Sequence, residues 1–433
     1  MNGCYDRLQD ESYYGRNYFI LADLYADNAK ISSNNTGRFT SVYNLDVLSS
    51  DNLAQDLWEN AYGIINNINF IIESLNTIEE ESIIEKNNLL GEARTLRALV
   101  YFDLLKIFSH TFKTPQSSSI PNANNKGGHL GVPLITESSN QATNFNIKRN
   151  TVLSVVNFIK NELEEAIELM TFEKETPFRI YKDAAQMILI KVLLYTQYED
   201  NGIVRASELA LGIINSGRYK LLTNDEYISS WKETETSESI FSIAMKQNDF
   251  NNTNSLGYTY SKSGYNELVP TQDFTNLFSN TDVRNDLYVT GSEVKKYPGR
   301  MGIPGLDNIP ILRYSDLLLI YAETAQINAK FNPAINTIAR TFLDSIRLRA
   351  DPSAPASTEE RAELRLKIQL ERRKELAFEG DRLFTLKRTL TEFNRDDCES
   401  DICNLSNPNK KLALPIPQSE VNANDLITQN YGY

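Results

Sequence analysis

Two pairs of long amphipathic segments constrain the fold more than anything else in this chain. Over residues 53–76, Leu57, Tyr62, Ile65, Ile68 and Ile72 recur at helical spacing, which lines one face of an α-helix. Over 82–108, Leu89, Ala93, Leu96, Leu99, Phe102 and Leu105 form another stripe. A second pair follows at 151–170, with Thr151 as N-cap, and at 181–198. Helices that each bury one face against a neighbour stack as hairpins, so the two pairs read as a degenerate repeat of that unit. Residues 2–22 read as a Tyr-rich amphipathic stretch, and helical period returns at 203–216, 313–328, 334–349 and 358–379. The expected fold class is mostly α.

Between these helices lie irregular stretches. Residues 23–50 are polar, with a turn at Asn34-Asn35-Thr36-Gly37, and 109–148 form a polar loop with Pro121, Gly127-Gly128 and Pro133. Over 217–310 the helical period fades into Gly, Asn, Ser and Tyr, with room for short strands such as 239–244. No linker separates domains. A single unit over 1–433 is expected: a helical scaffold (about 1–216 and 311–390), an irregular insertion (about 217–310) and an extended C-terminal segment (about 391–433).

The chemical inventory is narrow. Asp and Glu number 57 against 44 Lys and Arg, a net charge of −13. That argues against nucleic acid, whose phosphates need surplus cations, and against docking on anionic lipid. His110 and His129 are the only histidines, so zinc sites and histidine-dependent triads are hard to build; no metal and no cofactor are expected. No apolar run reaches the roughly 18 residues of a membrane span. The opening MNGCYDRLQD has no signal-peptide pattern. Cys4 stands apart; Cys398 and Cys403 flank a short loop and either form a disulfide, which implies an oxidising compartment, or remain two thiols. The carboxylate runs Glu79-Glu80-Glu81, Glu164-Glu165 and Glu359-Glu360 could in principle serve a glycosidase, but they sit at helix ends and read as solvated surface. Glu371 to Glu375 mix both signs at helical spacing, which suits ion pairing. No nucleophile elbow, P-loop or dinucleotide fingerprint occurs.

A binding role has more support. Tyr258, Tyr260 and Tyr265 gather in a Gly/Asn/Ser-rich segment. They either pack on the helices beneath or face a ligand. A sugar, with apolar C–H faces and a rim of hydroxyls, suits flat rings flanked by amides and charged groups. The 23–50 stretch supplies Asp27, Asn28, Arg38, Tyr43 and Asn44. Trp58 falls next to the stripe of its helix and reads as core; the pattern does not place Trp231.

Five ordered segments then carry a family resemblance. They are Trp58-Glu59-Asn60-Ala61-Tyr62 with Ile65 and Asn69; Gly91-Glu92-Ala93-Arg94 through Leu105, followed by Gly131-Val132-Pro133-Leu134; Arg313-Tyr314-Ser315-Asp316 with Leu318, Tyr321, Ala322 and Glu323; Glu371-Arg372-Arg373-Lys374-Glu375 through Gly380-Asp381-Arg382; and Leu414-Pro415-Ile416-Pro417 to Gly432-Tyr433. Together they resemble the SusD/RagB family of outer-membrane nutrient-binding lipoproteins over nearly the whole chain. One departure is Asp381-Arg382-Leu383-Phe384 where the family often has His-Arg-Trp-Phe.

The resemblance implies a tetratricopeptide-like scaffold of helix pairs, a loop-rich ligand region, and capture without catalysis of an oligosaccharide for a SusC-like TonB-dependent transporter. It implies surface exposure in the outer membrane through an N-terminal lipid anchor that lies outside this sequence, with a complete C-terminus. It maps the ligand loops onto 23–50 and 250–300. The candidate binding residues are therefore Asp27, Asn28, Arg38, Tyr43, Tyr258, Tyr260 and Tyr265, while Arg313, Arg372 and Glu379 read as structural. A peptide or other nutrient on the same fold, a carbohydrate-active enzyme and an intracellular scaffold are the alternatives.

Overall fold

The computed structural model describes residues 1–77, 82–139, 147–196, 201–328, 335–396 and 398–433, apart from the side chain of Ile335. The chain is mostly helical. It opens with α1 (Asn2–Gln9), α2 (Asn17–Leu24), β1 (Ala29–Ile31) and the single turn α3 (Thr40–Tyr43). The two hairpins follow: α4 (Asn52–Thr77) with α5 (Ile83–Phe108), and α6 (Val152–Leu169) with α7 (Lys182–Thr196). α5 also packs on α6, and α8 (Gly202–Asn215) packs on α7. Thr151 caps α6 by accepting from the Ser154 N–H, as its position predicts.

The irregular stretch holds α9 (Asn224–Ser230), β2 (Ser239–Ile243), α10 (Leu256–Tyr260), β3 (Leu268–Pro270), α11 (Gln272–Thr275), β4 (Tyr288–Val289), β5 (Glu293–Val294) and β6 (Ile309–Arg313). The scaffold resumes as α12 (Tyr314–Asn328), α13 (Ile335–Ala350), α14 (Arg361–Glu375) and α15 (Arg382–Thr389). β7 (Phe393–Asn394), β8 (Asn404–Leu405) and α16 (Gln418–Ala423) close the chain. The strands pair as antiparallel ribbons, β1–β3, β2–β6, β4–β5 and β7–β8.

Two expectations are corrected. Residues 2–22 are not one helix, because Asp10 Oδ1 accepts from both the N–H and the hydroxyl of Ser12, a local turn that competes with helix. The C-terminal segment is not wholly extended, since it holds the β7–β8 hairpin and α16. The Glu79–Glu81 run, the end of the 181–198 stretch and the start of 334–349 lie outside the described residues.

One continuous hydrophobic core joins the N-terminal segments, both hairpins and α15, and a smaller one lies among α12, α13 and α14. Ions buried at the end of α14 tie the irregular stretch to the scaffold. Arg284, fully buried, reaches Glu371 at 2.7 Å and Glu375 at 3.0 Å. Arg313 binds Glu238 and Glu379, and Arg372 binds Asp316 and Asp381. These side chains sit inside the fold, paired on several sides, where they act as structure. No helix among the described residues is long and apolar enough to cross a membrane.

Candidate functional site

The β1–β3 ribbon brings two distant loops together. Ala29 pairs with Pro270 and Ile31 with Leu268. The loop leaving β1 therefore runs beside the segment entering β3. Buried Glu267 locks them, accepting from the Thr36 N–H at 2.9 Å and the Thr36 hydroxyl at 2.7 Å. The sequence reading missed Glu267, whose partners lie more than 200 residues away.

This lock presents an aromatic–cation stack. The Arg38 guanidinium lies 4.3 Å from the Tyr265 ring centroid. Tyr265 meets Tyr258 edge to face, 5.0 Å between centroids. All three side chains are partly exposed. Gly264 makes the ring pair possible: a Cβ there would lie 2.1 Å from Tyr258 O, so the chain could not fold back to form the Tyr265 N–H to Tyr258 O bond of 2.9 Å.

Beside the stack lies an open cleft of about 570 Å³, with Arg38 in its wall. Phe39 supplies an apolar surface and is held at φ 61°, a strained conformation for a bulky residue. Arg16 donates to Asn17 Oδ1 at 3.0 Å and lies 5.5 Å from the Phe39 ring. Burial, with the nearby Arg38 charge, lowers its pKa against the pull of Glu11 and Asp56. Asp56 accepts only a long 3.5 Å bond from Asn17, and its pKa is raised by burial and acidic neighbours. No ion pair within 4 Å joins Arg16 or Asp56 to another described side chain. The cleft thus holds the guanidiniums of Arg16 and Arg38, the carboxylates of Glu11, Asp51 and Asp56, and the amides of Asn17, Asn52 and Asn254. Such a set can donate to and accept from a polyhydroxylated ligand at once.

The other candidates from the sequence are placed differently. Asp27 is buried, and both its oxygens accept from Arg382 at 2.6 Å. Burial pushes its carboxyl up, but Arg382 and Arg373 outweigh this and hold it below the usual range. Asn28 is fully buried between Asp23 and Arg373. Tyr43 is buried under Arg395, its hydroxyl accepting from the Glu399 N–H at 2.8 Å. Tyr260 has no exposed area and packs against Tyr297 and Phe378. Buried side chains committed to internal partners cannot touch a ligand in this conformation, so these four are removed from the contact surface.

Trp58 is core. Trp231 is half-buried, with the Lys296 ammonium 4.6 Å from its ring. Burial keeps His110 at a pKa of about 3, aided by Lys387, His129 and Arg149, so its ring is neutral at pH 7. Cys398 and Cys403 form a disulfide and Cys4 is a buried free thiol. No cluster of metal-ligating side chains occurs among the described residues.

The SusD family model matches residues 299–433, and a family model described as starch-binding, associating with outer membrane, matches residues 2–194. No curated protein matches the chain. A SusD superfamily protein from Bacteroides vulgatus is similar at TM-score 0.88 and 27% identity, covering 100% of this chain and 97% of the other. A putative sugar binding protein from the same species is similar at TM-score 0.87 and 27% identity, with the same coverage. A SusD superfamily protein from Bacteroides thetaiotaomicron reaches 0.86 and 26%, covering 99% and 97%.

Proposed function

The chain belongs to the SusD/RagB family, and from that premise we propose that it captures an oligosaccharide at the outer membrane and passes it, unreacted, to a SusC-like TonB-dependent transporter. The observation that carries this reading is the partly exposed Arg38–Tyr265–Tyr258 stack at the wall of a polar cleft. Rings receive the C–H faces of a sugar, while Arg16, Asp56 and the cleft amides exchange hydrogen bonds with its hydroxyls. Arg16 and Asp56 lack ion-pair partners among the described residues, so a ligand that binds them breaks no ion pair seen there.

The test is calorimetry of the whole chain against a panel of neutral oligosaccharides. Binding of at least one is expected, with Arg38→Ala and Tyr265→Ala each weakening it about five- to tenfold, the worth of a cation–ring contact. A chain that binds peptides and no glycan, or one that hydrolyses the glycan it binds, would overturn the reading. Hand-over is tested separately by co-purification with a TonB-dependent barrel from outer membranes.

A further inference from the structure

We propose that the disulfide-closed segment around β7 and β8 positions the loop that carries Arg38, with Arg395 and Glu399 as positioning residues. The inference rests on the binding role of Arg38 for its functional meaning and on the contacts themselves for its mechanics. The stretch from Ser32 to Tyr43 is tied at its start by bonds of Ser32 and Asn35 to the Asn266 and Glu267 carbonyls, and then at two further points. Glu267 grips it at Thr36, through backbone and hydroxyl. Tyr43 is the second point, and its carbonyl, ring face and hydroxyl all take partners from the far end of the chain. Arg395 Nη1 donates to Tyr43 O at 2.6 Å, and its guanidinium lies 5.0 Å from the Tyr43 ring. The Glu399 N–H donates to the Tyr43 hydroxyl at 2.8 Å. Arg38 and Phe39 lie between the two points; the Arg38 guanidinium has Glu267 at 3.9 Å and the Tyr265 ring beside it, and Phe39 O accepts from the Tyr43 N–H, so a shift of Tyr43 is passed to them through this backbone.

The positioning segment depends on its cross-link. The β7–β8 ladder has only two residue pairs, Phe393 with Leu405 and Asn394 with Asn404, and ribbons this short do not persist alone. The Cys398–Cys403 disulfide closes the far end. Arg395 donates to Ile402 O, and its own N–H to Cys403 O at 2.9 Å. Arg395 is therefore fixed by the same closed loop whose Glu399 holds the Tyr43 hydroxyl. Lys30, in β1, lies 3.9 Å from the exposed Glu399 carboxylate, which adds little by itself.

The test is amide hydrogen exchange on the full chain, comparing wild type, Cys398→Ser/Cys403→Ser and Tyr43→Phe. The reporters are the Tyr43 and Asn44 amides, bonded to Phe39 O and Thr40 O. About fivefold faster exchange at these amides is expected in both variants, the loss of roughly one hydrogen bond, with exchange in α5 and α12 unchanged. Unchanged reporter exchange overturns the proposal, and so does equal acceleration along the whole chain, which marks a general loss of stability. If the double variant fails to fold, Tyr43→Phe decides alone, because it removes only the acceptor for Glu399. A wild type that binds no oligosaccharide would defeat the functional reading and leave the exchange result to decide the mechanics. In a wild type that does bind, the double variant weakens affinity about fivefold through faster release, while affinity equal to wild type refutes the positioning role.

Discussion

Asp23, in α2, is fully buried. It accepts from Asn28 Nδ2 at 2.8 Å and from the Phe378 N–H at 3.0 Å, both through Oδ1, while Oδ2 has no partner among the described residues. Burial raises its pKa to about 7, against those bonds and the Lys296 charge. A carboxyl raised on folding makes the native state bind the extra proton, so its contribution is complete below the unfolded pKa of about 4 and is lost as pH climbs to about 7. Asp23→Asn removes the titration. Relative to wild type, it should gain stability between pH 4.5 and 7.5 by of the order of 3 kcal/mol, read as the change in the difference between urea midpoints; a constant difference contradicts this. The same scale shows what the sequence could say about the site. It named seven candidates, of which Arg38, Tyr258 and Tyr265 are the partly exposed ones. It could not sort them from their neighbours. Tyr258 and Tyr260 are two positions apart in α10, so their side chains leave the helix about 200° apart, one toward solvent and one into the core. Asp27 and Asn28 look like ligand groups until Arg373 and Arg382, some 350 residues later, are folded onto them.

At the level of elements, α5 packs on α6 with Gly91 at the contact. A Cβ on Gly91 would fall 2.6 Å from Met170 Cγ and 3.0 Å from Ala166 O. Met170 has a flexible side chain, but a backbone carbonyl cannot move without moving its helix. Gly91→Val should therefore push α6 away and cost about 1–3 kcal/mol by overpacking, seen as a lower urea midpoint with unchanged helical circular dichroism at 20 °C. A midpoint equal to wild type would show that the crossing can relax. The helix pairs were legible because their apolar period is long and locally encoded. α5 hides part of its character, since nearly every residue from Gly91 to Phe108 is buried and a stripe understates it. The ribbons were not legible as pairs. β2 is buried on both faces, so it shows no alternation, and its partner β6 lies some 70 residues away. β1 meets β3 across more than 230 residues, and that pairing builds the site.

Over the whole molecule, the excess of negative charge conceals an interior in which ions hold the parts in register. Glu375 at the end of α14 is fully buried and meets Arg284 from the irregular stretch, Arg313 from β6 and Arg349 from α13. Burial pushes its carboxyl up, but Arg349, Arg313, Arg284 and Lys296 together hold it well below the usual carboxylate range. Glu375→Gln leaves those cations short of a counter-charge. The expected cost at pH 7 is about 3–5 kcal/mol, because a buried pair broken on one side strands the other. A carboxyl lowered on folding stabilises above its unfolded pKa of about 4.5 and loses that contribution as pH falls toward the folded value. The gap between wild type and Glu375→Gln should therefore be full above about pH 5 and narrow by about 1.4 kcal/mol per unit below about 4.5. Urea titrations at pH 7, 4 and 3 measure it, and a gap independent of pH would mean that Glu375 acts by packing alone. Replacing Arg284 and Glu371 together by apolar residues of similar volume tests a different point, because Asp282 keeps Lys374 and Glu375 keeps Arg313 and Arg349. Such swaps are often neutral for stability. If the double variant folds as firmly as wild type yet binds oligosaccharide more weakly, the ions serve to set the irregular stretch, and the Tyr258–Tyr265 pair it carries, against the Arg38 loop. Equal binding would assign that register to the apolar core.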